Sequence, residues 1–225
     1  MKINTNSNGY ILGYASVLVI VVAFLLAFLY KVLEPMSNAN VENDKKKQIL
    51  ASLNIRNFDD ATVEEKYNEY IVSDPIIDSK ANIVKDSTAF GMKSKEINDE
   101  NLPLYVCKVD NETKYVIPLN GKGLWGPIWG YLAINSDKKT VYGVYFNHES
   151  ETAGLGARIV EDEFQNQFKG KKISEGDSFV TVVKKGNVSN QELECDGISG
   201  ATKTSVFVGD MLRETLLKYV AFLNK

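Results

Sequence analysis

The chain of 225 residues contains one histidine, His148, two cysteines, Cys107 and Cys195, and two tryptophans. A single imidazole excludes multi-histidine metal sites. Two thiols cannot by themselves hold an iron–sulfur cluster or a four-cysteine zinc. They could pair in an oxidising compartment or stay as buried thiols, and the sequence leaves both open. Excess positive charge is also lacking: the formal net charge is -3. With no basic stripe to neutralise phosphates, the composition argues against nucleic acid as a partner. There is no internal repeat, no nucleophile–base pair, and "GLGARI" is too short a glycine match for a dinucleotide fingerprint. No catalytic residue and no metal ligand is therefore assigned.

Charge is missing altogether from Ile11 to Tyr30, "ILGYASVLVIVVAFLLAFLY", twenty residues in length. As a helix that run is about 30 Å long, the thickness of a bilayer's hydrocarbon core. Tyr10, Tyr14 and Tyr30 lie near its ends, where amphipathic rings favour the membrane interface. A signal peptide would need a small-x-small cleavage site, which "LYKVLEPMS" does not supply, and a core helix is rarely so uniformly apolar. The reading is a tail over residues 1–9, a transmembrane helix over 10–34 and a single domain over 35–225. Lys2 on one flank, against Lys31 and Lys45–Lys47 on the other, weakly favours a cytoplasmic C-terminal domain. A span with no carboxylate carries no ion path of its own.

After the anchor, "EPMSNANVENDKKKQILASLNI" reads as a break and then a polar helix. "ATVEEKYNEYIV" reads as a second helix, with Thr62 and Glu65 at capping-box spacing. The texture then changes to β-branched and aromatic runs divided by turn residues: "LPLYVCKVD", "TKYVIPLN", "IWGYLAINSDKKTVYGVYF" and "DSFVTVVKK". "NSDKKT" reads as a hairpin loop, and "EDEFQNQFKG" as a short helix closed by Gly170. From Thr204 to Leu223 the apolar residues Val208, Met211, Leu212, Leu216, Tyr219, Val220 and Leu223 recur at helical steps. That stripe must cover something, most simply the face of an antiparallel sheet. The fold class is α+β.

Three stretches carry candidate chemistry. "DGISGATKTS", Asp196–Ser205, opens the last helix, where unpaired N–H groups and a positive dipole end receive anions. Gly197, Gly200 and Ala201 would let a ligand approach, although Ser199, Thr202 or Thr204 acting as an ordinary helix cap explains the same residues. "GKGLWGPIWGYLAI", Gly121–Ile134, places four glycines beside both tryptophans, as walls for a ring system or as core at a tight corner. "HESETAGLG", His148–Gly156, carries Glu149 and Glu151, whose spacing on a loop is commonly that of solvated surface.

Together and in this order, the three stretches resemble the C subunit of the bacterial sodium-translocating NADH:quinone oxidoreductase, a membrane-anchored member of the FMN-binding domain family. The resemblance implies FMN as cofactor, joined by a flavin transferase as a phosphoester to Thr202, with Thr204 as the nearest rival. Ser199, Gly200 and Ala201 belong to the same motif, and Asp196 matches its leading carboxylate, a recognition element for the transferase. The flavin ring is expected against Leu124 and Trp125 on one side and Thr152, Gly154 and Leu155 on the other, with Glu151 in the site. Where the family usually has proline, this chain has Ala153, so the loop is less rigid. The resemblance further implies partners A, B, D, E and F of the complex, membrane lipid around the anchor, and a periplasmic domain on the bacterial inner membrane, against the lysine tally. Two other readings stay open: the related G subunit of a ferredoxin-oxidising ion pump, and an anchored module without a redox group.

Overall fold

The computed structural model describes residues 7–225, so Lys2 and most of the expected tail lie outside the described residues. The chain divides into two units, one ending at Asp44 and one running from Lys45 to the C-terminus. The first belongs to helix α1, Asn8–Ser52, which has a window of mean hydropathy 2.8 with none of it buried. It is long and apolar enough to cross a membrane. The expected break at Glu34–Pro35 is absent: α1 continues through Pro35, at the loss of one backbone hydrogen bond. Lys31 and Glu34 pair across the preceding turn at 2.8 Å.

The second unit continues with α2 (Val63–Tyr70), β1 (Ile71–Ser73), β2 (Ile76–Ile77), β3 (Ile83–Lys85) and β4 (Leu102–Pro103). Next come β5 (Tyr105–Val109), β6 (Glu112–Lys122), β7 (Pro127–Asn135), β8 (Val141–His148) and α3 (Asp162–Gln165). Short strands β9 (Ser174–Glu175), β10 (Ser178–Phe179), β11 (Thr181–Val183) and β12 (Glu194–Asp196) precede α4 (Thr202–Lys218) and α5 (Val220–Leu223). The main sheet has the order β1-β5-β6-β7-β8, antiparallel throughout.

Strand alternation divides the core in two. On one face Ile128, Leu132 and Ile134 of β7 join Ile117, Val144 and Phe146 beneath Val208, Met211, Leu212 and Leu216 of α4. On the other, Tyr131 and Ala133 of β7 join Tyr105 and Cys107 against Ile49 and Leu50 of α1 and Tyr67 of α2. A sheet covered on both faces is what the sequence only half implied. Gly143 is required there: a Cβ would lie 2.5 Å from the Ser52 carbonyl oxygen. Cys107 and Cys195 are both free, buried in the two different clusters, so they do not pair. Burial pushes the Cys195 thiol up to about 12 and raises Cys107 further still.

Two local expectations fail for identifiable reasons. Ile71 and Val72, read as the end of the second helix, instead open the edge strand β1, because β-branched residues there pair with β5. Thr62 precedes α2 but makes no capping bond; its hydroxyl donates to the Asp59 carbonyl at 2.8 Å, and its backbone is not extended as a cap requires. The last helix starts two residues earlier than expected, at Thr202, and is interrupted at Tyr219, whose hydroxyl donates to the Pro103 carbonyl at 2.6 Å. The β7–β8 hairpin around "NSDKKT" and the short helix ending before Gly170, a left-handed glycine at φ 80°, form as expected.

Candidate functional site

The three stretches meet at one corner of the second unit, and Glu151 joins them. Residues 123–126 form the tight β6–β7 turn, closed by the Gly123 N–H on the Gly126 carbonyl at 2.8 Å. At its tip the N–H groups of Leu124 and Trp125 both donate to Glu151 Oε1, at 2.7 and 3.0 Å. Glu151 Oε2 accepts the Thr204 hydroxyl at 2.7 Å, on the first turn of α4. Glu151 is only 7% exposed and Thr204 only 1%. The Glu151 N–H donates to His148 Nδ1 at 3.2 Å, tying the start of the loop to the end of β8. Ser150 adds a bond from its hydroxyl to the Trp125 carbonyl at 2.9 Å. The expectation of a solvated carboxylate pair thus holds for Glu149 and fails for Glu151.

Glycines make this closeness possible. A Cβ on Gly123 would sit 2.6 Å from Glu151 Oε1, and one on Gly156 would run into the Glu151 carboxylate and the Thr204 hydroxyl. A Cβ on Gly200 would approach Leu155 Cδ2 to 2.9 Å, so the second and third stretches touch. Both loops turn alike. The Leu155 N–H reaches the Thr152 carbonyl at 3.1 Å with Gly154 at φ 75°, and the Ala201 N–H reaches the Ile198 carbonyl at 3.0 Å with Gly200 at φ 77°. A left-handed glycine at the third position is the type II signature.

At the helix start the cap position belongs to Ala201, and no side chain caps α4. Ser205 looks inward, accepting the Ile198 N–H at 2.9 Å and donating to the Ala201 carbonyl at 3.0 Å. The ordinary-cap reading of Ser199, Thr202 and Thr204 therefore fails. The first-turn N–H groups of α4 are left to a ligand or water. Ser199, Gly200 and Thr202 are exposed there, and Ala201 is buried.

The expected ring-facing residues are open to solvent. Trp125 is 67% exposed, and Leu124, Leu155, Thr152 and Gly154 are exposed too. Trp129 is not part of this corner; its indole N–H donates to Gln48 on α1 at 3.0 Å. The Asp196 carboxylate accepts the Gly186 N–H at 2.6 Å and pairs with Lys185 at 3.3 Å, bracing the loop between β11 and β12. What sequence reasoning missed is the Glu151–Thr204 bond, for which the only signal was a threonine at the helix start that was not needed as a cap.

The residue types fit a planar aromatic ligand with a phosphate tail. Exposed apolar side chains from two loops offer ring contact, and the uncapped helix start suits an anion. Gly154, with nothing within 4 Å of where its Cβ would be, leaves room for a ring. Among the described residues no cluster of acidic, histidine or cysteine side chains suits a metal ion.

Comparison with known proteins points the same way. The family model for the FMN-binding domain matches residues 123–217, from the β6–β7 turn to the end of α4. The chain is 27% identical to the C subunit of the Na(+)-translocating NADH-quinone reductase of Haemophilus ducreyi over 226 aligned positions, 91% of this chain and 88% of the relative. It is 40% identical to the crystal structure of the corresponding C subunit from Parabacteroides distasonis, with a TM-score of 0.79 over 86% of this chain and 98% of that one. NqrC of Shewanella oneidensis, 20% identical, shares the fold at a TM-score of 0.72, over 83% of this chain and 97% of that one. The chain belongs to the family formed by the C subunits of Na(+)-translocating NADH-quinone reductases.

Proposed function

We propose that this protein is the membrane-anchored, FMN-carrying electron-transfer subunit of a sodium-translocating NADH:quinone reductase, with FMN esterified to Thr202. One observation carries the choice of acceptor. Of the two threonines on the first turn of α4, Thr204 is buried with its hydroxyl donated to Glu151, whereas Thr202 is exposed.

Thr202 Oγ1 would attack the phosphorus of a flavin phosphate activated as a pyrophosphate, presented by a flavin transferase. The Oγ1–P bond forms as the bond to the departing phosphate breaks, and the hydroxyl proton leaves to the transferase or to water. No electrons change hands in that step. The α4 N–H groups would hold the phosphate, and Leu124 and Trp125 on one side, with Thr152, Gly154 and Leu155 on the other, would hold the ring. Bound FMN supplies one- and two-electron chemistry that side chains lack. A covalent tether on Thr202 would keep that group on the protein, where it would supply electron transfer between NADH-derived electrons and the quinone-reducing side of the complex.

The A, B, D, E and F subunits are the partners in this reading, and ion movement belongs to them. The α1 anchor sits in the bacterial inner membrane with the second unit in the periplasm, where the transferase works; protease added to spheroplasts should therefore digest it. The acceptor is tested by Thr202→Ala and Thr202→Val made with the transferase present. Loss of flavin fluorescence from the denatured band is expected, and fluorescence at the wild-type level would move the ester elsewhere.

A further inference from the structure

Glu151 is a buried carboxylate with no lysine or arginine paired to it among the described residues; N–H and O–H donors alone satisfy it. Burying a charge in this way is costly, and an apolar side chain of similar volume would fill the space without that cost. What the carboxylate does that an apolar group could not is bind two separate elements at once. One oxygen holds the tip of the β6–β7 turn through Leu124 and Trp125, and the other holds α4 through Thr204, 53 residues away. All three bonds are made by this chain's own atoms and need no ligand to form.

We propose that Glu151 and Thr204 form a buried positioning pair that fixes the Leu124–Trp125 wall relative to the start of α4 before flavin is attached. The inference rests on the flavin site proposed above but concerns the geometry of the chain ahead of attachment. Neither residue touches the reacting atoms; both act through what they hold. If the wall and the acceptor helix were free to shift against each other, attachment would require ordering both, and misplacement by an ångström can slow a reaction by as much as about 100-fold.

Two measurements on the full-length chain in detergent test this. The first uses protein made without flavin transferase and reads amide hydrogen exchange. Tips of four-residue turns ordinarily exchange fast, so protection of the Leu124 and Trp125 amides, lost in Glu151→Ala and kept in Glu151→Gln, whose amide oxygen can still accept both N–H groups, is the expected signature. Unprotected wild-type amides, or protection unchanged in Glu151→Ala, would overturn the proposal. The second reads the initial rate of flavin attachment by purified transferase. Thr204→Val should fall by about tenfold, and Thr204→Ser, which restores the hydroxyl, should recover. Equal rates for valine and serine would also overturn it. A wild-type chain that accepts no flavin would sink the flavin site and leave the exchange result standing. Normal wild-type attachment with unprotected amides would do the reverse.

Discussion

The two sides of this domain are held together by different physics. Against one face of the sheet, the last turns of α1, the residue after it and helix α2 bury Ile49, Leu50, Leu53 and Tyr67 on Tyr105, Tyr131 and Ala133, an assembly dominated by apolar packing. At the corner where α4 begins, the β6–β7 turn, the loop after β8 and the helix start are tied by hydrogen bonds that converge on one carboxylate. Packing tolerates small displacements and is expensive to remove. A carboxylate network is directional and holds its atoms in place. The difference shows which region sustains the fold and which sets a geometry.

Mutations can break that contrast or sharpen it. The largest effect is expected for Leu50→Ala, which empties a fully buried position and should cost about 2–5 kcal/mol by urea denaturation of the full chain. The molecules that remain folded should still accept flavin on Thr202 at the normal rate. Gly156→Ala drives a methyl group into the Glu151 carboxylate and the Thr204 hydroxyl and should cost about 1–3 kcal/mol. Here attachment should fall out of proportion to stability. If both variants lost flavin in step with folding, the contrast would disappear. Ala153→Pro acts in the opposite direction. Ala153 occupies the second position of a type II turn, where proline is favoured, and its N–H donates to nothing among the described residues. A gain of about 0.4–1 kcal/mol is expected, and a loss would mean that the turn is not as described. The smallest change belongs to Trp125→Ala. With the side chain 67% exposed, stability should stay within about 0.5 kcal/mol. The fluorescence and absorption of attached flavin should nevertheless shift, and an unaltered spectrum would remove Trp125 from the ring wall.

The sequence was most informative where order along the chain decides structure. The β-branched and aromatic runs of β7 and β8, the hairpin between them and, up to its interruption at Tyr219, the apolar stripe of the last helix are local patterns, and these form. It was least informative where distant contacts decide. Nothing near Glu151 marks it as buried, because its donors come from residues 26 or more positions away. Ile71 and Val72 look helical until β5 is there to pair with them, and the hold of Lys185 and Gly186 on the Asp196 carboxylate likewise comes from residues ten or more positions away. The helix cap was the closest contest. Three hydroxyl residues stood ready to cap α4, and the structure uses none of them.

The account turns on the bond between this chain and its flavin, and mass spectrometry of the peptide covering residues 195–203, cut from protein matured with its transferase, reads that bond directly. One FMN less one water should be added, with fragment ions placing it on Thr202. An unmodified peptide, or the same mass localised to Ser199, would contradict it.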